Sequence, residues 1–260
     1  MDSFEYKKSL GQNFLRDDNI LRKIVDSSEI DNDTLVIEVG PGAGSLSKLL
    51  IPKAGFAILF EIDVRLKEKL DSELGQFNNY EIIFGDFLKQ DISNIRNKYN
   101  YKKIYVVANL PYYITTPIIT KLMTDLYPER MIIMIQEEVA DRLSAEKGNR
   151  IYGMISVLLG AKYRIKKLFK VSRKCFYPQP NVDSAVISLD KYDSLGNTSY
   201  SKFESFIKDA FRYKRKTLKN NLSKYDLVKI QNILDKYGYS LNNRAEAIPV
   251  SVYVEIVNNI

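Results

Sequence analysis

"TLVIEVGPGAGSLSKLLIPKAGFAILFEID", residues 34–63, places a β-rich run, a glycine turn, a helical run and a second β-rich run in succession. The first run, "TLVIEV" (34–39), reads as a strand. "GPGAG" makes a tight turn, "SLSKLLIPK" a helix, and "GFAILFEID" (55–63) a second strand. Working outward, "VRLKEKLDSEL" continues as a helix, and "YEIIFGD" (80–86), "KIYVVAN" (103–109) and "RMIIMIQ" (130–136) extend the series of strands. Strands separated by helical stretches predict an α/β fold, a parallel sheet covered on both faces. "VDSAVISL" (182–189), after "FYPQPN", predicts a late strand at an edge of that sheet.

After Leu189 the texture changes to "DKYDSLGNTSY", polar and turn-rich, as in a linker. From Lys202 onward the periodicity is helical. Phe203, Phe206, Ile207, Ala210, Leu218 and Leu222 share an apolar face, while Arg212, Lys216 and Lys219 share another. The expected organisation is a first domain over 1–190 and a small helical domain over 191–260.

Composition narrows the chemistry. A chain of 260 residues with 45% hydrophobic content can build a substantial core. No apolar run approaches the roughly 20 residues of a membrane helix, and the first ten residues lack a signal-peptide stretch. With one cysteine, Cys175, there is no internal disulfide. These features predict a cytoplasmic protein. The net charge of +7 favours an anionic partner such as nucleic acid. The chain has no histidine, which excludes a Ser-His-Asp triad, a Cys-His pair and histidine metal sites.

Gly40, Gly42 and Gly44 lie directly between a strand and a helix, at the strand end where open α/β sheets bind nucleotides. The spacing G-x-G-x-G differs from the dinucleotide fingerprint. Glu61 ends the second strand 21 residues after Gly40, placed to accept from ribose hydroxyls. Asp86 ends the third, placed to accept from an adenine amino group. No Walker-type lysine follows the turn, so an adenosine cofactor without phosphates fits best. S-adenosyl-L-methionine is the natural candidate, with no metal.

"VVANLPYYITTPI" (106–118) ends a core strand in an amide, a rigid turn and two tyrosines. Methyl transfer to an adenine amine accounts for this. The N6 lone pair is delocalised into the ring and is a poor nucleophile. The Asn109 side-chain oxygen and the Leu110 carbonyl, aimed by Pro111, can accept its two N–H groups. Tyr112 offers a flat face for an extruded base. Positioning and electrostatics supply the gain.

"NLPY" with "VGPGAG", "FEID" and "GDF" resembles the methyltransferases that act on adenine amines. "KKSLGQNFL" (7–15) and "FYPQPNVDSAVI" (176–187) narrow the resemblance to the rRNA adenine N6,N6-dimethyltransferases, KsgA type. It implies a Rossmann-like class I methyltransferase sheet with a small helical domain. The implied reaction is dimethylation of two adjacent adenosines near the 3′ end of small-subunit (16S) rRNA, in a pre-30S particle; a monomer is the default expectation. It also implies that Asn13, Leu15, Gly40, Gly42, Glu61, Ile62, Asp86, Phe87 and Asn109 contact the cofactor. Asn109, Leu110, Pro111 and Tyr112 would face the target amine, and Phe176 with Tyr112 would hold the base.

Lys7, Lys8, Lys147, Arg150, Arg212, Arg215, Lys216 and Lys219 are candidates for rRNA phosphates, as a set that reads RNA shape through its backbone. Rival readings stay open, among them a small-molecule methylase using the same phosphate-free cofactor. An Erm-type enzyme methylating 23S rRNA shares the N-[LI]-P-Y turn. A non-catalytic RNA-binding assembly factor could use the same scaffold.

Overall fold

The computed structural model describes residues 13–196 and 198–260. Nine strands form in chain order: β1 (Phe14–Leu15), β2 (Thr34–Val39), β3 (Phe56–Glu61), β4 (Tyr80–Phe84), β5 (Lys103–Asn109), β6 (Arg130–Gln136), β7 (Tyr163–Val171), β8 (Phe176–Tyr177) and β9 (Ser184–Lys191). Seven make one sheet in the order β4-β3-β2-β5-β6-β9-β7. The first five of these are mutually parallel, and β9 runs antiparallel to β6. From β2 the chain winds outward to β3 and β4, then returns to lay β5 on the other side of β2. The order therefore reverses between β2 and β5, the switch point where such sheets leave a crevice at their carboxyl ends.

The central strand explains why this order is stable. Every residue of β2 is buried, Glu38 included. On one face the helix Asp18–Ser28 (α1) buries Leu21, Ile24 and Val25 against Val36, Val107, Ile132 and Met134. Asp17 caps that helix, accepting from the N–H groups of Asn19 and Ile20 at 3.0 and 3.2 Å. Further along the same face Leu66, Leu70 and Leu74 pack on Ala57 and Leu59, which pair with Val36 and Glu38 of β2.

The late strand is not at an edge: β9 lies between β6 and β7, and β7 takes the outer position. β1 and β8 form a separate antiparallel ribbon with Phe14 opposite Tyr177 and Leu15 opposite Phe176. Alternation along β8 buries Phe176 and leaves Tyr177 49% exposed.

The chain divides into two compact units, one of residues up to Ala140 with Lys166–Asp190, the other of Asp141–Ile165 with Lys191–Ile260. The division differs from a single break at residue 190 because residues 141–165 join the helical unit. The helix Met154–Gly160 (α2) puts Val157 and Leu158 into one cluster with Phe203, Phe206, Ile207, Ala210, Leu218 and Leu222. The polar stretch after Leu189 is also tied down. Leu195 is buried in that cluster, and Ser194 donates to the Ala161 carbonyl from its backbone N–H at 3.0 Å and its hydroxyl at 2.9 Å.

Phe206 lies at the centre of the helical unit, edge-on to Tyr225 at 5.0 Å and to Tyr253 at 6.4 Å. Phe206→Ala should cost about 3–5 kcal/mol through transfer and cavity terms. Urea unfolding of the full chain followed by circular dichroism checks this.

Candidate active site

The crevice at the switch point is lined by the ends of β2, β3 and β5 together with Asn13, Phe14 and Leu15. Its floor is the glycine turn. Gly40 N–H donates to the Phe60 carbonyl at 2.8 Å, and Gly42 N–H to Glu61 Oε2 at 2.9 Å. The other carboxylate oxygen, Oε1, accepts from Asp63 N–H at 2.8 Å. Backbone N–H groups thus hold both oxygens of Glu61 in place, facing the crevice. Burial pushes the Glu61 carboxyl above its ordinary range, and the N–H bonds from Asp63 and Gly42 oppose that rise.

Two of the glycines cannot be replaced cheaply. Gly40 has φ +78°, and a Cβ there would stand 3.9 Å from Asn109 O and Pro111 Cδ. The gap between the turn and the end of β5 is open because Gly40 has no side chain. Gly42, at φ +59°, would drive a Cβ to 2.6 Å from Phe14 Cε1, so the Phe14 ring rests directly on the turn.

Asn109 ends β5, and its Nδ2 donates to the Asn13 carbonyl at 3.2 Å. A carbonyl can only accept, so the amide orientation is set: NH2 toward Asn13, Oδ1 on the other side. Neither Asn109 Oδ1 nor the Leu110 carbonyl accepts a hydrogen bond among the described residues, and both residues line the crevice. Leu110 N–H is anchored on the Met134 carbonyl at 3.1 Å, while Pro111 fixes the turn at φ −60°. Tyr112 also lines the crevice, its hydroxyl 2.6 Å from the buried Ser184 Oγ at the start of β9. Burial raises the Tyr112 phenol, with the Ser184 bond acting the other way.

Of the residues singled out in the sequence, Asn13, Leu15, Gly40, Gly42, Glu61, Ile62, Asn109, Leu110, Pro111 and Tyr112 meet around one crevice. Asp86 and Phe87 come after β4, one strand further out. Asp86 caps the next turn by accepting from Leu88 N–H at 3.0 Å, and Phe87 packs edge-on against Phe60. Phe176 is not brought to the crevice wall. It is 4% exposed and sits in the core with Leu15, Leu21 and Val186.

Three residues of the site are absent from that sequence-based set: Glu38, Phe14 and Ser184. Glu38 carries a signal, an acid inside an otherwise apolar strand. It lines the crevice at 1% exposure, and Ser47 Oγ donates to its Oε2 at 2.6 Å. Burial, reinforced by the Glu61 charge and opposed by Ser47, pushes its carboxyl up to about 8. Phe14 and Ser184 carry none, because their roles come from contacts with residues far along the chain.

The basic candidates are distributed. Lys7 and Lys8 lie outside the described residues. Within the helical unit, Arg212, Lys214, Arg215, Lys216 and Lys219 lie on and just beyond the loop after Ala210, and none forms an ion pair among the described residues. Asn221 Nδ2 braces that loop by donating to the carbonyls of Ala210 at 2.7 Å and Tyr213 at 3.3 Å. Lys147 donates to the Tyr239 hydroxyl, and Arg150 is exposed nearby in sequence.

A family model described as ribosomal RNA adenine dimethylase matches residues 3–260. The chain belongs to this family. Among curated relatives, the ribosomal RNA small subunit methyltransferase A of Geobacillus sp. (strain WCH70) is 41% identical, over 98% of this chain and 91% of its own length. The protein of that name from Mycoplasma mobile is 41% identical over 96% of each chain. Among solved structures, the 23S rRNA methyltransferase ErmE superposes with a TM-score of 0.75 at 25% identity, covering 95% of this chain and 98% of that one. A dimethyladenosine transferase from Plasmodium falciparum shares the fold, with a TM-score of 0.79 at 24% identity, covering 94% and 95%.

The family's reaction is dimethylation of adenine in ribosomal RNA, and its cofactor is S-adenosylmethionine. The crevice of this dimethylase suits that cofactor. Its lining offers a backbone-anchored carboxylate, an open gap before Gly40, apolar walls from Leu15 and Ile62, and two acids for a cationic ligand.

Gly42→Ala should strain the turn by about 1–2 kcal/mol and displace Phe14, lowering cofactor affinity about tenfold by isothermal titration calorimetry. A second expectation concerns Glu38. Its folded midpoint is raised above the unfolded value of 4.5 to about 8. Between those values the unfolded chain releases this proton first, so stability falls as pH rises, by up to about 1.4 kcal/mol per pH unit. Glu38→Gln has no such term. Its urea midpoint should match the native protein at pH 5 and exceed it increasingly toward pH 8.

Proposed function

We propose that this dimethylase modifies the N6 amines of two adjacent adenosines near the 3′ end of small-subunit (16S) rRNA, acting as a monomer on a pre-30S particle in the cytoplasm. The observation that carries the chemistry is a pair of acceptors at the end of β5, Asn109 Oδ1 and the Leu110 carbonyl, that take no hydrogen bond among the described residues. The choice of substrate is supported by the small-subunit methyltransferases at 41% identity over nearly the whole chain.

In this reading the two acceptors take the two N–H groups of the target amine. Holding both protons in plane-breaking directions withdraws the N6 lone pair from the ring and directs it into the crevice. When bound, S-adenosylmethionine supplies an electrophilic methyl on a sulfonium. Asn13, Leu15, Gly40, Gly42, Glu61, Ile62 and Asn109 hold it, with Asp86 and Phe87 at its base end. Tyr112 presents its ring to the extruded adenine, kept in one orientation by the bond to Ser184. The base stack rests on Tyr112, since Phe176 is packed in the core. Near-attack placement accounts for the acceleration without a covalent intermediate. The cations around residues 212–219, with Lys147 and Arg150, bind rRNA phosphates.

Incubation with radiolabelled S-adenosylmethionine and unmethylated small subunits, with large-subunit RNA in parallel, tests this. Digestion and mass analysis should find dimethyladenosine at two neighbouring positions of the small-subunit RNA. Asn109→Ala should retain the fold and lose at least about 10²-fold in rate. Label in large-subunit RNA would instead indicate an Erm-type specificity. Cofactor binding with no label in either RNA would indicate a binding factor, and full activity of the alanine variant would overturn the role of Asn109.

A further inference from the structure

Glu38 is the acid of the crevice that the reaction just described does not use. It projects from the middle of the sheet at 1% exposure, and its one hydrogen bond among the described residues is from Ser47. The surrounding described elements bring it no cation. β3 contributes the Glu61 carboxylate, the turn and helix after β2 contribute the Ser47 hydroxyl, α1 contributes Leu21, and the end of β5 contributes the neutral Asn109. A carboxylate in such a place, desolvated and beside a second acid, favours its neutral form.

We propose that Glu38 is the proton-exchanging wall of the cofactor crevice, neutral until a cationic ligand enters and ionised while that ligand is held, so that loading releases a proton to solvent. The inference rests on the assignment of S-adenosylmethionine to this crevice.

The physical basis is charge matching. S-adenosylmethionine carries a sulfonium and an ammonium, and a positive charge in a low-dielectric crevice lowers the cost of an adjacent carboxylate. On loading, the Glu38 O–H bond breaks, the electron pair stays on the carboxylate, and the proton passes to buffer. After methyl transfer the spent cofactor is a neutral thioether with one positive charge fewer. The carboxylate then loses part of its stabilisation and recovers its proton from solvent. Glu38 would thereby weaken retention of the product relative to the loaded cofactor. The carboxyl midpoint of about 8 places the neutral form in the majority at pH 7, as the cycle needs.

The test is isothermal titration calorimetry of the intact protein with S-adenosylmethionine, and separately with S-adenosylhomocysteine, at pH 7 in buffers of different ionisation enthalpy. The slope of observed enthalpy against buffer enthalpy counts protons. Proton exchange by the cofactor's own ammonium is common to both proteins, so the comparison with Glu38→Gln isolates the side chain. That substitution keeps the acceptor for Ser47. The native protein should release close to one more proton than the variant on binding S-adenosylmethionine, and less than that on binding S-adenosylhomocysteine. Its affinity should rise up to about tenfold per pH unit relative to the variant below the carboxyl midpoint. Equal proton counts in the two proteins would overturn the inference while leaving the cofactor assignment intact. Absence of binding to the native protein would overturn both.

Discussion

The bond from Gly42 N–H to the Glu61 carboxylate ties two neighbouring strand ends into one binding surface. β2 and β3 are already paired, but pairing alone does not fix the path of the chain beyond their last residues. The Gly42 bond, with Gly40 N–H on the Phe60 carbonyl, holds the turn after β2 against the acid that ends β3. Because the carboxylate accepts from a backbone whose φ is positive, the turn requires glycine, and because glycine has no side chain, Phe14 can close on it. The ribbon that carries Phe14 then sets Leu15 against Phe176 and ties the start of the described chain to the segment before β9. A single charge-assisted bond therefore orders the floor and, through Phe14, the cover of the crevice.

The same arrangement concentrates acid in a place that opposes it. Glu38 and Glu61 are both buried, and the charge on Glu61 raises the cost of ionising Glu38. Glu61 offsets the cost of its own burial with backbone N–H donors, those of Gly42 and Asp63 among them. Glu38 has one hydroxyl donor among the described residues. The two acids thus differ in what they can do. One is a pre-formed acceptor pair, and the other is a carboxyl whose ionisation depends on what occupies the crevice. Two buried acids side by side are costly in a core, and the pair marks this end of the sheet as a candidate binding surface.

Legibility from sequence tracked the range of the forces involved. The inner parallel strands show as largely apolar runs because both of their faces are covered, and β2, β5 and β6 have the bounds their composition suggests. β7 was illegible for the opposite reason. "YRIKKLFKV" is an outer strand whose exposed residues are mostly cations, the device that keeps a sheet edge from pairing with other chains. With β7 unseen, β9 looked like the edge. The ribbon of β1 and β8 is two residues on each side, joining positions some 160 residues apart, and no local pattern announces it. The acids and the Asn-Leu-Pro-Tyr turn were legible because each is a polar interruption at the end of an apolar run. Ser184 and Phe14 were not, since a serine opening a strand and a phenylalanine near its start are unremarkable until their partners are known.

The amide at the end of β5 can now be given its reason. Asn109 must donate and accept at once: Nδ2 secures the Asn13 carbonyl, and that bond leaves Oδ1 as an acceptor. An aspartate could accept but not donate, so the cover would lose its tie to the strand. It would also add a third carboxyl to a crevice that already holds Glu38 and Glu61, and burial beside two acids would drive it toward the protonated form. A protonated acid presents a hydroxyl, which would compete with the amine proposed to bind there. A serine or threonine would offer one oxygen on a shorter reach, unable to span the cover and the crevice together. A neutral side chain with a fixed donor and a fixed acceptor on opposite sides serves both contacts without charge, and the strand end, where Asn109 pairs with Met134 of β6, holds that geometry in place.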